Sequence, residues 1–389
     1  MTRGFSLHLD LARVLAALAV LVSHFGYPQV TAQGLGWARE LNIGSDAVVV
    51  FFVLSGLVIS HTAHAKDRTL AQFAFARLTR LWSVALPAIL LACALCVAGK
   101  LLSLEFYAGL DASALLAAAA RSVAFVNYVW FSDVHLPSNN PYWSVTYEFW
   151  CYAGFGAAAF LRGRTRVYAL AAIALIAGPR IWLLAPCWAL GVVVRDLVCG
   201  PRLARIGSRA ALGLLLAPLF AYVLLQAAQA PAALTALTTA ALGGLDPNGV
   251  FGFSDEFLWN WLLAALTAAH FVGAAALARE GADWPKRVAA AVRWAAGRTF
   301  SLYLFHMPVM QFAIALPFYD PSRPLDAILL AAIILATSVG LAELTERRLG
   351  AQRRFASQVL ARARILFAGL RDRARGFDGI AGQPRPPTP

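Results

Sequence analysis

Apolar stretches long enough to cross a bilayer recur from residue 8 to residue 345, with no long polar interruption. A helix needs roughly 20 mostly apolar residues to span the hydrocarbon. Backbone groups there must be satisfied within the segment, which leaves helices as the natural reading of such runs. The pattern predicts spans near 8–26, 44–64, 80–102, 142–161, 167–180, 182–199, 209–229, 257–278, 299–317 and 325–345. Only 14% of residues are charged while 60% are hydrophobic, against roughly 25% charged in a soluble chain. The expected fold is therefore an all-α membrane protein, a polytopic bundle of about ten transmembrane helices over residues 1–345.

Charge sets the expected orientation. With the N-terminus inside, one set of loops holds Lys66, Arg68, Arg77 and Arg80, then Arg162, Arg164 and Arg166, then Arg195 to Arg209 and Arg279 to Arg298. The opposite side holds Arg39, Lys100, Arg121, Arg180 and Arg323. Basic residues favour the cytoplasmic side, so both termini are expected inside, in a bacterial inner membrane. An eleventh span at 112–130 would place the 162–166 loop outside. Residues 103–141 are instead expected to form a long outer loop that folds back into the bundle. Residues 346–375 read as a basic amphipathic helix on the membrane surface and 376–389 as a disordered tail. The formal net charge of +13 does not point to nucleic acid, because the basic residues lie between and after the apolar stretches. Cys93 and Cys96 form a CxxC inside an apolar run without companion ligands, so no metal site is expected. The first apolar segment reads as a retained helix. No internal repeat is evident, which argues against an inverted-repeat transporter.

Ionisable residues inside the hydrocarbon are costly and mark function by default. The first span carries Asp10, Arg13 and His24. Arg13 and His24 are eleven residues apart, so they share a helix face with a rise of ~16 Å between them. That face would link an inner cationic site to an outer imidazole; the alternative is an interfacial histidine and a snorkelling arginine. Glu148, in the fourth span, is expected at the depth of His24, where it would orient the imidazole or serve as a packing hydrogen bonder. Asp46 opens the second span and reads as helix-dipole compensation. Ser55-Gly56 permits close helix approach. Arg77 and Arg80, one turn apart, would grip a phosphate or simply anchor the inner side. His306 in the ninth span would line a pore or satisfy the carbonyl freed by Pro308.

Several segments together resemble the acyltransferase-3 family of membrane O-acyltransferases. They are Leu9 to Arg13 with His24, Phe51 to Gly56 (FFVLSG), Arg77 and Arg80 (RxxR), Trp143-Ser144 with Glu148, and Ser301 to Val309 (SLYLFHMPV). Asp46 departs from the pattern, standing further from the FF pair than in many relatives. The resemblance implies transfer of an acyl group, commonly acetyl, from cytoplasmic acyl-CoA to a hydroxyl of a cell-surface or exported carbohydrate. It makes His24 the base, with Glu148 beside it or positioning the acceptor, and Arg13, Arg77 and Arg80 the donor-binding residues. Asp10, Ser55, Trp143, Ser144, Tyr303 and His306 are the expected pore lining. Acyl-CoA would be a co-substrate, with no resident cofactor. Some relatives carry a fused C-terminal esterase-like domain. About forty residues follow the last span here, so the chain is expected to act alone or with a separate periplasmic partner. The alternatives are a transporter with Arg13, His24, Glu148 and His306 as its polar path, or transfer of succinyl or another acyl group to a non-glycan acceptor. Acceptor choice is expected to lie in the outer loops 27–43, 103–141 and 230–256.

Overall fold

The computed structural model describes residues 1–359 except 33, 280, 282 and 283, together with residue 361. Fifteen α-helices run through residues 3–344, and no strand occurs among the described residues. The first half comprises α1 (Arg3–Phe25), α2 (Gly36–Glu40), α3 (Ile43–Lys66), α4 (Leu70–Leu101), α5 (Ala112–Val123), α6 (Trp143–Phe160) and α7 (Gly163–Ala177). The second half comprises α8 (Pro179–Cys199), α9 (Ser208–Ala227), α10 (Ala230–Ala241), α11 (Pro247–Phe251), α12 (Phe257–Leu277), α13 (Lys286–Ala296), α14 (Thr299–Ile314) and α15 (Pro324–Leu344). Each of the ten expected spans coincides with one of these helices. Seven helices are long and apolar enough to cross a membrane, making this a multi-pass membrane protein. The spans expected at 142–161, 167–180 and 299–317 are helical but fall outside those seven. At 15 and 16 residues α7 and α14 are short, and polar side chains such as Glu148 lower the hydropathy of α6. Beyond α15, residues 349–359 are helical. Residues 360 and 362–375 of the expected surface helix and the whole tail lie outside the described residues.

The end of the bundle that carries residue 3 is termed the inner end, and the end that carries residues 26–42 the outer end. Helix α4 has 32 residues, ~48 Å at 1.5 Å each, against a hydrocarbon core of about 30 Å. Its excess carries Arg77 beyond the expected span, with Arg80 at that span's first residue, at the inner end. Helix α3 is central and packs on α1, α8 and α12.

The contact of α3 with α8 is set by two glycines. A Cβ on Gly56 would stand 2.0 Å from the Trp188 carbonyl oxygen, and one on Gly191 would stand 2.0 Å from that of Val53. Both distances forbid any side chain, as small-residue helix packing requires. The close approach brings Trp188 Nε1 to 3.2 Å from Ser55 Oγ, so it also shapes the polar interior. Overpacking costs about 1–3 kcal/mol where neighbours can move. These neighbours are backbone, so Gly191→Ala is expected to lower the thermal unfolding midpoint of the purified protein or to abolish its folding. An unchanged midpoint would show that the two helices are free to separate.

Residues 103–141 fold into the bundle as expected. Helix α5 has 12 residues and a rise of ~18 Å, too short to span. The segment is held from outside itself. Tyr142 OH donates to the Ser122 carbonyl at 2.9 Å, Trp150 Nε1 to that of Phe125 at 2.9 Å, and Thr146 Oγ1 to Asn127 Oδ1 at 2.5 Å. Ser103, Phe125, Trp130 and Ser138 all have φ between 55° and 59°. Non-glycine residues adopt that region only where surrounding contacts over-determine them. Gly178, with φ of 79°, makes the expected turn between α7 and α8, where a Cβ would meet the Trp130 backbone at 2.6 Å.

Candidate functional site

Two polar centres share the interior. The outer one is an imidazole pair. His24, one residue from the end of α1, places Nδ1 2.9 Å from Nε2 of His306 on α14. His306 is 1% exposed, and its Nδ1 lies 3.0 Å from the Leu302 carbonyl oxygen. A carbonyl only accepts, so with one proton on each ring His306 carries its proton on Nδ1 and presents a bare Nε2. His24 must then donate through Nδ1, which leaves its Nε2 lone pair free to take a proton. The Tyr27 ring stacks on His24 at 5.8 Å, with 1° between the planes.

Pro308 has no N–H for the carbonyl four residues back, that of Leu304. This carbonyl accepts from Asn139 Nδ2 at 3.0 Å. The expectation that His306 answers the proline is corrected: Asn139 fills that role, and His306 is released to pair with His24.

The inner centre surrounds Glu148, and here the sequence expectation is also corrected. Gly44 of α3 lies beside Ser23, since a Cβ there would fall 2.7 Å from the serine side chain. Ser55 is eleven residues further along α3, ~16 Å inward of the His24 level. Glu148 is bonded there, accepting from Ser55 Oγ at 2.6 Å and from the Tyr152 hydroxyl. It therefore does not support His24. The reason is that α6 begins inside the bundle, with Asn139, Pro141, Tyr142 and Trp143 all buried, so residue 148 lies deeper than a helix starting at the surface would place it.

A cavity of about 520 Å³ opens at this level. Arg13, Lys66, Arg77, Arg80 and Arg353 line it with Ser55, Ser144, Glu148, Tyr152 and Tyr303. Arg13, itself ~16 Å from His24 along α1, has Asp10 at 3.5 Å. Arg77 is tied to Asp67 at 3.2 Å, and Arg353 donates to the Ala76 carbonyl at 2.8 Å. Among the described residues the Arg80 side chain makes neither a hydrogen bond nor an ion pair. Arg13 and Arg80 also line a second inner cavity of about 240 Å³, together with Asp10, Arg293, Glu346 and Arg347. Lys66 and Arg353 were not expected in the site. Arg353 falls in the basic stretch after the last span, which reads as surface anchoring.

Of the expected pore residues, Ser55, Ser144 and Tyr303 line the larger inner cavity, and Asp10 the smaller. The Ser144 and Tyr303 hydroxyls are 2.7 Å apart, and Tyr303 also donates to the Pro141 carbonyl at 3.1 Å. Tyr303 is three residues inward of His306 on α14, so this contact separates the cavity from the histidine pair. Trp143 is a packing residue, its ring parallel to Phe253 at 4.6 Å. Asp46 does more than meet the helix dipole. It accepts from Trp259 Nε1 and the Tyr222 hydroxyl, each at 2.7 Å, and from Gln226 Nε2 at 3.0 Å, binding α3 to α9 and α12.

A third cavity, of about 260 Å³, lies at the outer end against Tyr27 and Met307, the neighbours of the imidazole pair. It draws on two of the three outer loops expected to select an acceptor, 27–43 and 103–141.

A family model described as an acyltransferase domain matches residues 7–344. No curated protein and no solved structure matches the chain.

Proposed function

Since the chain belongs to the acyltransferase-3 family of membrane acyltransferases, we propose that it moves an acyl group from acyl-CoA on the inner side to a hydroxyl on the outer side. The inner side is the cytoplasm of a bacterial cell, and the acceptor is a cell-surface or exported carbohydrate. The observation that carries this reading is the His24–His306 pair, standing between a basic inner cavity and an uncharged outer one.

The inner cavity, at about 520 Å³, is of the size that ligand sites commonly have. Its arginines and lysine suit the phosphates of CoA, and the positive-inside pattern supports their facing the side where CoA is found. The acyl-pantetheine arm runs outward past the Tyr303–Ser144 contact, which must part to admit it. His24 Nε2 removes the acceptor proton as the hydroxyl oxygen attacks the thioester carbonyl carbon. His306 accepts the Nδ1 hydrogen bond of the resulting imidazolium, as the third member of a triad does. The carbon–sulfur bond then breaks, the sulfur takes the proton from His24, and CoA leaves as the thiol. Glu148 holds Ser55 and Tyr152 in the cavity wall and places a negative charge facing Arg13 and Arg80.

The family assignment favours this chemistry over simple transport. Mass spectrometry of exported glycans tests it, comparing cells with the wild-type protein, with His24→Ala and without the gene. An acyl increment found only with the wild type is expected, and its mass names acetyl, succinyl or another group. Identical glycans in all three strains would remove the carbohydrate acceptor. Loss of acyl-CoA turnover by the purified protein as well would remove the transferase reading.

A further inference from the structure

The described wall of the outer cavity carries one histidine and no carboxylate, ammonium or guanidinium. None of its described lining residues is Lys, Arg, Asp or Glu. Tyr27 and Phe106 supply aromatic surface, Met307 and Met310 supply apolar surface, and the amides of Gln29 and Gln311 supply polar atoms. The imidazole is already engaged at both nitrogens. His135 Nδ1 lies 2.8 Å from the Tyr128 hydroxyl, and Nε2 lies 3.0 Å from Asp133 Oδ1. His135 is thus fixed as a flat wall rather than offered as a base. Arg39 lies with its guanidinium 3.8 Å from the Tyr27 ring centre and is not part of the lining.

One polar atom is left over. Gln311 Oε1 is buried and has no hydrogen-bond partner. A buried carbonyl without a donor is costly, and native structures rarely keep one unless a ligand or water completes it. Gln311 sits on the same helix as His306, five residues further outward, and Met307 between them lines the cavity. A volume of about 260 Å³ falls just below the usual range for small-molecule sites, so it suits one ring rather than an oligomer. Aromatic walls with a few directed polar atoms fit a polyhydroxylated ring, whereas an anionic ligand would lose hydration and find no cation in the lining.

We propose that this cavity binds a single uncharged sugar residue of the acceptor, with Gln311 Oε1 accepting a hydrogen bond from one hydroxyl. A ring held there presents a neighbouring hydroxyl toward His24 past Tyr27. The assignment of the sugar as acceptor rests on the acyl-transfer reading above. It adds the site, the positioning residue Gln311 and the selection against charged sugars.

The test is binding, which needs no turnover. Neutral methyl hexopyranosides and a methyl glucuronide are titrated against the purified full chain by saturation-transfer difference NMR at millimolar concentrations. At least one neutral glycoside is expected to bind, with the glucuronide roughly tenfold weaker or more. Arg80→Ala, in the inner cavity, is expected to leave this binding unchanged. Gln311→Met is expected to weaken it roughly tenfold. Phe106→Ala alters a largely exposed ring, so it keeps the test open if Gln311→Met fails to fold, and it should weaken binding as well. Absence of binding by every neutral glycoside, equal binding of the glucuronide, or unaltered binding in the folded variants would each overturn the proposal. Binding that behaves as expected without acyl transfer would sink the transferase reading and leave the sugar site standing. Acyl transfer with binding unaffected by either variant would do the reverse.

Discussion

His24→Ala is expected to reduce acyl transfer by about 10²–10⁴-fold, the range a positioned general base contributes. That corresponds to roughly 3–5 kcal/mol of transition-state stabilisation. The bundle should survive the change, because His24 stands at the end of α1 and, among the described residues, its ring hydrogen-bonds one side chain, that of His306. Acyl-CoA binding should be unaffected, since the basic cavity lies ~16 Å inward. A companion substitution separates the base from its support. In His306→Gln the amide oxygen can still accept from His24 Nδ1, whereas in His306→Leu nothing can. Leu is therefore expected to cost more than Gln in kcat, with little effect on the KM for acyl-CoA in either. Initial rates with the purified variants measure this. Full activity in a folded His24→Ala protein would remove the imidazole from the chemistry. Equal losses in the Gln and Leu variants would reduce His306 to a packing residue.

The pairing on which that prediction stands shows where reading a sequence stops. Helices α1 and α3 follow directly from their apolar runs, because a chain in hydrocarbon has few other ways to satisfy its backbone. The shared face of Arg13 and His24 also follows, since helical geometry fixes it. Both histidines stand out as polar groups in apolar segments, yet their contact joins residues 282 positions apart. No periodicity encodes that. The depth of Glu148 escapes the sequence for a related reason. It depends on how far residues 103–141 fold inward, and that segment holds four non-glycine residues at positive φ that only tertiary contacts can sustain. Arg353 is hidden differently: in sequence it resembles every other arginine after the last span, and only its bonds to Ala76 and Thr79 at the start of α4 draw it to the cavity. Gln311 did leave a trace, an amide within an apolar helix. Its meaning needed the cavity beside it.

Arg80→Ala is expected to weaken acyl-CoA binding by about 10–100-fold, as loss of a charge-assisted hydrogen bond worth roughly 1.5–3 kcal/mol implies. Arg80 is singled out from the other arginines of the cavity by what each of them already holds. Arg13 has Asp10, Arg77 has Asp67, and Arg353 has two partners on α4. Removing Arg77 would unpair Asp67 inside the cavity, so its variant would mix lost attraction with new repulsion of a phosphate. Arg80 makes no hydrogen bond or ion pair among the described residues, so its loss breaks no such direct contact. Its Lys variant should recover part of the affinity, because an ammonium supplies the charge but not the two-pronged geometry of a guanidinium. Rising salt should weaken the wild type more than Arg80→Ala, since screening acts on the charge the variant has lost. Titration of CoA and acyl-CoA into the purified proteins reads all of these. An unchanged Kd in Arg80→Ala would return the RxxR pair to anchoring the inner end of the bundle, because Arg80 lines both inner cavities.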